Sequence, residues 1–255
     1  MLAVRVVKIG GNELDRGGWL ASCADALGRA QPVVVVHGGG QAITAVSERL
    51  GLAAEKRDGV RITTPEIAAV VEMVLGGPVN RQVVAALRRA GLDAVGLSGV
   101  DGGLLEARRV SEAVGHVGEI TAVRAALLER FLVAGLTPVI APVAPDPADP
   151  DGVPLNVNAD HAAAAVAAAL GAVELLFVSD VPGVRVKGVA QPELAVTEIE
   201  GLIAAGVATG GMAAKLRAAG AALAGGARTV RIGDLALFAN SRSGTRIVAA
   251  VTQPA

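Results

Sequence analysis

Short apolar runs rich in β-branched residues alternate along the chain with longer stretches rich in alanine and leucine. The runs at residues 33–36, 94–97, 138–141 and 175–178 are apolar at every position, and those at 4–9 and 229–232 are apolar apart from Arg5, Lys8, Thr229 and Arg231. Strands buried on both faces read this way, without the strict alternation of a half-solvated sheet. Between them, residues 19–29, 42–50, 65–90, 122–134, 159–170 and 212–224 repeat their apolar positions at helical spacing. Strand and helix in turn predict an α/β fold, a three-layer α/β/α sandwich around a mainly parallel central sheet. Residues 100–117 break the rhythm: short alternating pieces, punctuated by Asp101-Gly102-Gly103 and Gly115-His116, predict a hairpin excursion. Residues 142–152, rich in proline and aspartate, predict a surface loop.

Composition narrows the class. A chain of 255 residues with 52% hydrophobic content fills one domain, or two closely packed lobes. Apolar runs are interrupted by glycine, proline or charge before reaching the length of about 20 residues that spans a bilayer. The start, Met1 to Lys8, enters a β-branched run directly and lacks the pattern of a secretory signal, so a cytoplasmic location is expected. Cys23 is the single cysteine and reads as a small buried apolar residue on a helix; no Cys-based zinc cluster can form. A net charge of −1 with interspersed signs, and 2% aromatics, leave no footprint for nucleic acid or an anionic membrane.

Three strands end in comparable turns: Lys8-Ile9-Gly10-Gly11, His37-Gly38-Gly39-Gly40 and Ser179-Asp180-Val181-Pro182-Gly183. Ligands of open α/β sheets bind beyond the carboxyl ends of the strands, so these turns are expected to line one crevice. A strand followed by glycines and then a helix presents backbone N–H groups and a positive helix end to an anion. There is no G-x-x-x-x-G-K-[ST] loop and no G-x-G-x-x-G after the first strand. Gly96-Leu97-Ser98-Gly99 lacks the last glycine of a nucleophile elbow, because Val100 follows. Lys8 closes an apolar strand, where burying an ammonium is costly without an anionic partner. Lys215 falls early in a helix, where a cation opposes the dipole; it is either a solvated lysine or one with an anion close by. Asn158 suits an N-cap and Asp160 a first helical turn, but capping leaves Asn156 unexplained.

Six motifs, the three turns together with Gly59-Val60-Arg61-Ile62-Thr63, Asn156-Val157-Asn158-Ala159-Asp160 and Gly210-Gly211-Met212-Ala213-Ala214-Lys215, stand in the order of the amino acid kinases. The chain resembles that family from Lys8 to about Val248, and within it the branch that phosphorylates N-acetyl-L-glutamate. The resemblance implies the amino acid kinase fold, with an acceptor-binding lobe over about residues 1–171 and a nucleotide-binding lobe over about 172–255. It implies transfer of the ATP γ-phosphoryl group to the side-chain carboxylate of N-acetyl-L-glutamate, in arginine biosynthesis. Lys8 and Lys215 would stabilise the transferring group, with Asp160 orienting both. Gly39, Gly40, Arg61 and Asn156 would hold the acceptor. Gly10, Gly11, Asp180, Val181, Pro182, Gly183, Val184, Arg185, Val207, Ala208 and Thr209 would surround the phosphates and the nucleotide. Magnesium would ride on the ATP phosphates, without direct protein ligands, and a homodimer is expected through the helix at residues 65–90.

Departures from the family pattern carry expectations of their own. An extra helix ahead of the first strand, found in arginine-inhibited members, is missing, so neither a hexamer nor strong arginine feedback is expected. Arg81 stands after Asn80 where lysine is commoner, and Arg185-Val186-Lys187-Gly188 is less acidic and shorter than many nucleotide loops of the family. Two alternatives remain open. One is a related kinase acting on an aminoadipate or glutamate group borne by a carrier protein, which the compact segment at residues 55–61 disfavours. The other is a catalytically silent regulatory relative.

Overall fold

The computed structural model describes residues 2–249 apart from 12, 15, 58 and 151. In the first half the elements are β1 (Arg5–Ile9), α1 (Trp19–Gly28), β2 (Val33–His37), α2 (Gly40–Arg49), β3 (Lys56–Arg57), β4 (Val60–Arg61), α3 (Pro65–Val74) and α4 (Asn80–Arg89). There follow β5 (Ala94–Ser98), β6 (Leu105–Arg109), β7 (Val117–Val123), α5 (Ala125–Val133), β8 (Thr137–Ala141), β9 (Val143–Ala144), β10 (Leu155–Val157) and α6 (Ala159–Ala169). The last third holds β11 (Glu174–Val178), β12 (Arg185–Val186), β13 (Val189–Ala190), β14 (Glu193–Ala195), α7 (Ile199–Ala204), α8 (Gly210–Ala224), β15 (Val230–Gly233), α9 (Ala236–Ala239) and β16 (Thr245–Val248).

Eight strands form the central sheet in the order β14-β16-β15-β11-β1-β2-β8-β5. Its pairs are parallel except β15 with β16. The predicted sandwich is therefore present, with one edge reversed. Four of these strands precede residue 142 and four follow residue 173, and the two sets join where β1 pairs with β11, Lys8 opposite Phe177. Successive side chains of β1 go to opposite faces. Val4 and Val6 pack with residues of α5, α6 and α8, whereas Val7 and Ile9 pack with α1, α3, α4 and α9. Lys8 continues the first set. Its side chain is thus aimed at α6 and α8 by the strand period alone.

A second sheet, β6-β7-β10-β9, lies on the α6 side. The predicted hairpin is its antiparallel β6–β7 pair, but β7 runs on to Val123. The helix expected from residue 122 accordingly starts at Ala125: Ala122 and Val123 pair with Glu106 and Leu105, and sheet pairing overrides their helical propensity. The expected loop at 142–152 contains β9, which pairs with β10. The expected helix at 65–90 is interrupted: a π turn at Leu75–Val79 separates α3 from α4. Pro78 has no N–H to give to the ladder and Gly77 leaves helical geometry (φ −98°, ψ −109°). By length and apolar content Pro65–Arg89 could cross a bilayer, which the sequence reading did not register; half of its most apolar stretch is buried in the protein core.

Candidate active site

The carboxyl ends of β1, β2 and β11 open onto one crevice, and their turns touch. The Gly38 N–H donates to the Ile9 carbonyl (3.1 Å) and the Ser179 N–H to that of Gly233 (2.8 Å). A Cβ on Gly11 would lie 2.6 Å from the Gly39 nitrogen and 2.8 Å from its Cα. The two glycine loops therefore pack backbone against backbone, which only glycine permits. A Cβ on Gly39 would come 2.5 Å from Leu75 in the π turn. The interruption of the long helix thus seats Leu75 and Val79 under the second loop. Gly40 opens α2 with free space around its Cα, in the first turn where N–H groups lack intrahelical partners.

His37, at the end of β2, is fully buried; its Nδ1 faces the Gly38 carbonyl at 3.2 Å and its Nε2 the Asn80 amide nitrogen at 3.1 Å. Asn80 also donates to the Val139 carbonyl at 2.9 Å. The consistent tautomer has Nδ1 donating and Nε2 accepting from Asn80. Burial pulls the imidazole pKa down to about 4, against a weaker opposing effect of the Gly38 carbonyl. A neutral ring thus pins the second glycine loop to the start of α4.

The charged centre stands on that frame. Lys8 Nζ lies 2.9 Å and Lys215 Nζ 3.7 Å from the same oxygen, Asp160 Oδ1, and all three side chains are at most 10% exposed. Asn158 caps α6, accepting from the Asp160 N–H at 2.8 Å, and so fixes the carboxylate in the favourable first turn. Burial would raise the Asp160 pKa, but Lys8 and then Lys215 outweigh it and hold the group below the usual carboxylate range. Lys215 is lowered, first by burial and then by Lys8, with Asp160 opposing. Its ammonium also stands 5.7 Å from the centroid of the Phe177 ring. The partner of Lys215 that sequence left open is therefore Asp160.

Beside the second glycine loop, Arg61 Nη2 donates to the Gly40 carbonyl (2.9 Å) and to Thr44 Oγ1 (2.8 Å), while its buried Nη1 has no hydrogen-bond partner among the described residues. The Asn156 amide donates to Thr63 Oγ1 (3.2 Å), whose hydroxyl donates to the Arg61 carbonyl (2.9 Å). Gly40, Arg61 and Asn156 thus form one connected wall, with a spare guanidinium N–H for an anion. The β3–β4 turn reaches across: Cβ space at Gly59 ends 4.0 Å from Gly210, where α8 begins.

The expected nucleotide contacts divide by accessibility. Asp180 and Pro182 are exposed after β11, with Asp180 paired to Arg16 Nη2 at 2.9 Å. Gly183 is buried against Thr245. Val184 has its side chain in the core, its N–H on Thr245 Oγ1 (2.8 Å) and its carbonyl on the Gln191 N–H (2.9 Å). It shapes the turn and has no free polar group for a ligand. Val181 is half-buried, and Arg185 is exposed at the start of the β12–β13 hairpin. Val207 and Thr209 are exposed ahead of α8, whereas the Ala208 side chain is in the core.

Sequence reasoning missed Glu13, Arg16, Thr44 and Thr245. Thr63 was within a recognised motif but had no role there. Glu13, on the turn between β1 and α1, is 5% exposed, and its Oε2 has no hydrogen-bond partner among the described residues. No group of three or more His, Cys, Asp or Glu able to hold a metal occurs among the described residues. A divalent cation here would be held chiefly by the phosphate oxygens of a nucleotide, with Glu13 Oε2 the buried acceptor that fits it.

Two ammonium groups sharing a carboxylate, beside glycine loops with bare N–H groups, are suited to a charged phosphoryl group in transfer. A model of the amino acid kinase family matches residues 3–234. The chain belongs to that family. Similar curated proteins are the acetylglutamate kinases of Chloroflexus aurantiacus, 49% identical over 240 residues (92% of this chain, 94% of that one), and Geobacillus kaustophilus, 48% identical over 221 residues (86% and 84%). Among solved structures, a Streptococcus mutans protein superposes with a TM-score of 0.86 at 30% identity, covering 98% of this chain and all of that one.

Proposed function

We propose that the chain is an ATP-dependent kinase forming N-acetyl-L-glutamyl 5-phosphate from N-acetyl-L-glutamate, a step of arginine biosynthesis. The observation that carries the chemistry is the buried Lys8–Asp160–Lys215 centre at the mouth of the glycine loops. Relatives named acetylglutamate kinase at 45–49% identity carry the acceptor. A carboxylate oxygen attacks the γ-phosphorus in line, the bond to ADP breaks, and ADP leaves as an anion without proton transfer. Attacking group and triphosphate are both negative, so positioning and charge neutralisation are the protein's task. Lys8 and Lys215 oppose the charge on the moving group, and Asp160 keeps both ammonium groups aimed. Gly10, Gly11, Gly39 and Gly40 offer N–H groups to phosphoryl oxygens. Arg61, through its unpartnered Nη1, takes the acceptor's other carboxylate, with Asn156 beside it.

Magnesium arriving with the nucleotide would supply further positive charge to oppose that of the phosphates. A homodimer through Pro65–Arg89, whose Met73 is half exposed, and a cytoplasmic location complete the reading. Neither the carrier-bound acceptor nor the silent relative is favoured by the curated relatives.

The test is ADP release with hydroxylamine trapping, comparing N-acetyl-L-glutamate, glutamate, aspartate, carbamate and UMP. Hydroxamate from N-acetyl-L-glutamate alone is the expected result. Turnover of another acceptor in its place, or none at all, overturns the assignment.

A further inference from the structure

The catalytic arrangement leaves one buried charge without employment. Glu13 is 5% exposed, and its Oε2 is without a donor among the described residues. Its position is set by Gly10: a Cβ there would collide with Glu13 Oε2, so the carboxylate lies against the backbone of the first glycine loop. It is also near enough to Lys215 for its charge to favour the protonated amine. Lys8, Lys215, Asp160 and Glu13 together sum to zero, two positive against two negative. A carboxylate with an unpaired oxygen at this depth is costly in the free protein, since buried charge is stable only when paired.

An incoming triphosphate makes that cost larger, because it sets further negative charge on the same loop. The placement is favourable only if a cation arrives with the phosphates. A divalent ion of the magnesium type takes oxygen ligands and is usually held by phosphate oxygens plus one or two carboxylates, keeping several waters. Glu13 has the right atom, free and buried, on the loop that meets the phosphates. Asp160 is not a competitor for this role, because its oxygen is already shared between two ammonium groups.

We propose that Glu13 places its free oxygen on the divalent cation that accompanies the nucleotide, directly or through one water, so that the site distinguishes metal-loaded from metal-free nucleotide. This rests on the kinase reading above and adds a protein ligand where phosphates alone were expected to hold the ion.

The test is calorimetric titration with ADP, in excess MgCl2 and separately in EDTA, for the wild-type protein and Glu13→Gln, with electron paramagnetic resonance of Mn2+ in the ternary complex. Glu13→Gln is expected to weaken Mg·ADP by about ten-fold or more, the scale on which groups holding a metal are felt. Metal-free ADP should bind the variant as well as, or better than, the wild type, and the spectrum of protein-bound Mn2+ should change. Glu13→Asp, one methylene shorter with its charge kept, should show a smaller loss confined to the metal-loaded form, which serves if the glutamine variant fails to fold. Equal losses with and without metal would reduce Glu13 to packing and overturn the proposal, as would no loss in either. No acceptor is present, so a wrong acceptor leaves this result standing. Failure of the wild-type protein to bind nucleotide at all would refute the kinase reading, and the proposal with it.

Discussion

Replacing Asp160 by asparagine keeps the shape of the side chain and removes the charge that two buried ammonium groups share. At 2.9 and 3.7 Å the two attractions are worth about 6 and about 4 kcal/mol gross at an effective dielectric near 20. Desolvation of the carboxylate cancels part of this, and breaking a buried pair from one side costs about 3–5 kcal/mol net. The Asp160→Asn protein should therefore lose stability by an amount in that range, read from its urea melt as the midpoint shift multiplied by the m-value. A second consequence separates this account from simple loss of packing. Lys215 is already below its ordinary range through burial and the proximity of Lys8, and Asp160, ahead of Glu13, opposes the fall. Without the carboxylate it releases its proton at still lower pH. The alkaline limb of the pH–rate profile should then move toward neutrality, and turnover at neutral pH should drop at least a hundred-fold, about 2.7 kcal/mol in the barrier. Urea melts together with ADP-release rates across the pH range measure both effects. An Asp160→Asn protein with wild-type stability and an unmoved alkaline limb would refute the reasoning.

Two further outcomes follow from the frame of the site. His37 titrates at about 4 when folded and near 6.5 when free, so below 6.5 the unfolded chain takes a proton that the native state refuses. Stability should fall by up to about 3 kcal/mol as pH drops from 6.5 to 4; His37→Gln should flatten this part of the curve, and urea midpoints across that window decide it. In Gly11→Ala the new methyl meets the backbone of Gly39 at under 3 Å, where no side chain can swing away. A loss of about 1–3 kcal/mol in stability is expected, with nucleotide affinity falling in parallel by calorimetry; unchanged affinity would mean that the loops need not touch.

The sequence was most informative where a residue contradicted its surroundings. Lys8 ends an apolar strand, and that conflict alone marks it; the strand period then determines the face it takes. The link from Lys8 to Lys215 through Asp160 spans most of the chain, and no local pattern encodes it, so the family resemblance supplied it. The edge strand β14 and its neighbour β16 were missed because they are three or four residues long and interrupted by polar residues. Their character comes from pairing, β14 with β16 and β16 in turn with β15. Ala122 and Val123 read as helix by composition and become strand by their partners on β6. The π turn did have a signal, Gly76-Gly77-Pro78 within an apolar helical run, which the periodicity obscured. Glu13 left no trace, since an acidic residue after two glycines ordinarily belongs to solvent and only the packed turn shows it enclosed.

The seam between β1 and β11 joins Arg5 to Glu174, 169 positions apart in the chain. Of the central-sheet strands described, β1 is made first and yet enclosed late: it can lie beside β2 early, but its other edge stays open until residues 174–178 have been made. A strand this apolar with an unpaired edge is a template for mispairing, and pairings so distant in sequence form slowly. Because Lys8 lies on that strand, the Lys8–Asp160–Lys215 cluster is complete only once α8 has been made and packed, and a chain truncated before Glu174 would hold Lys8 and Asp160 without Lys215.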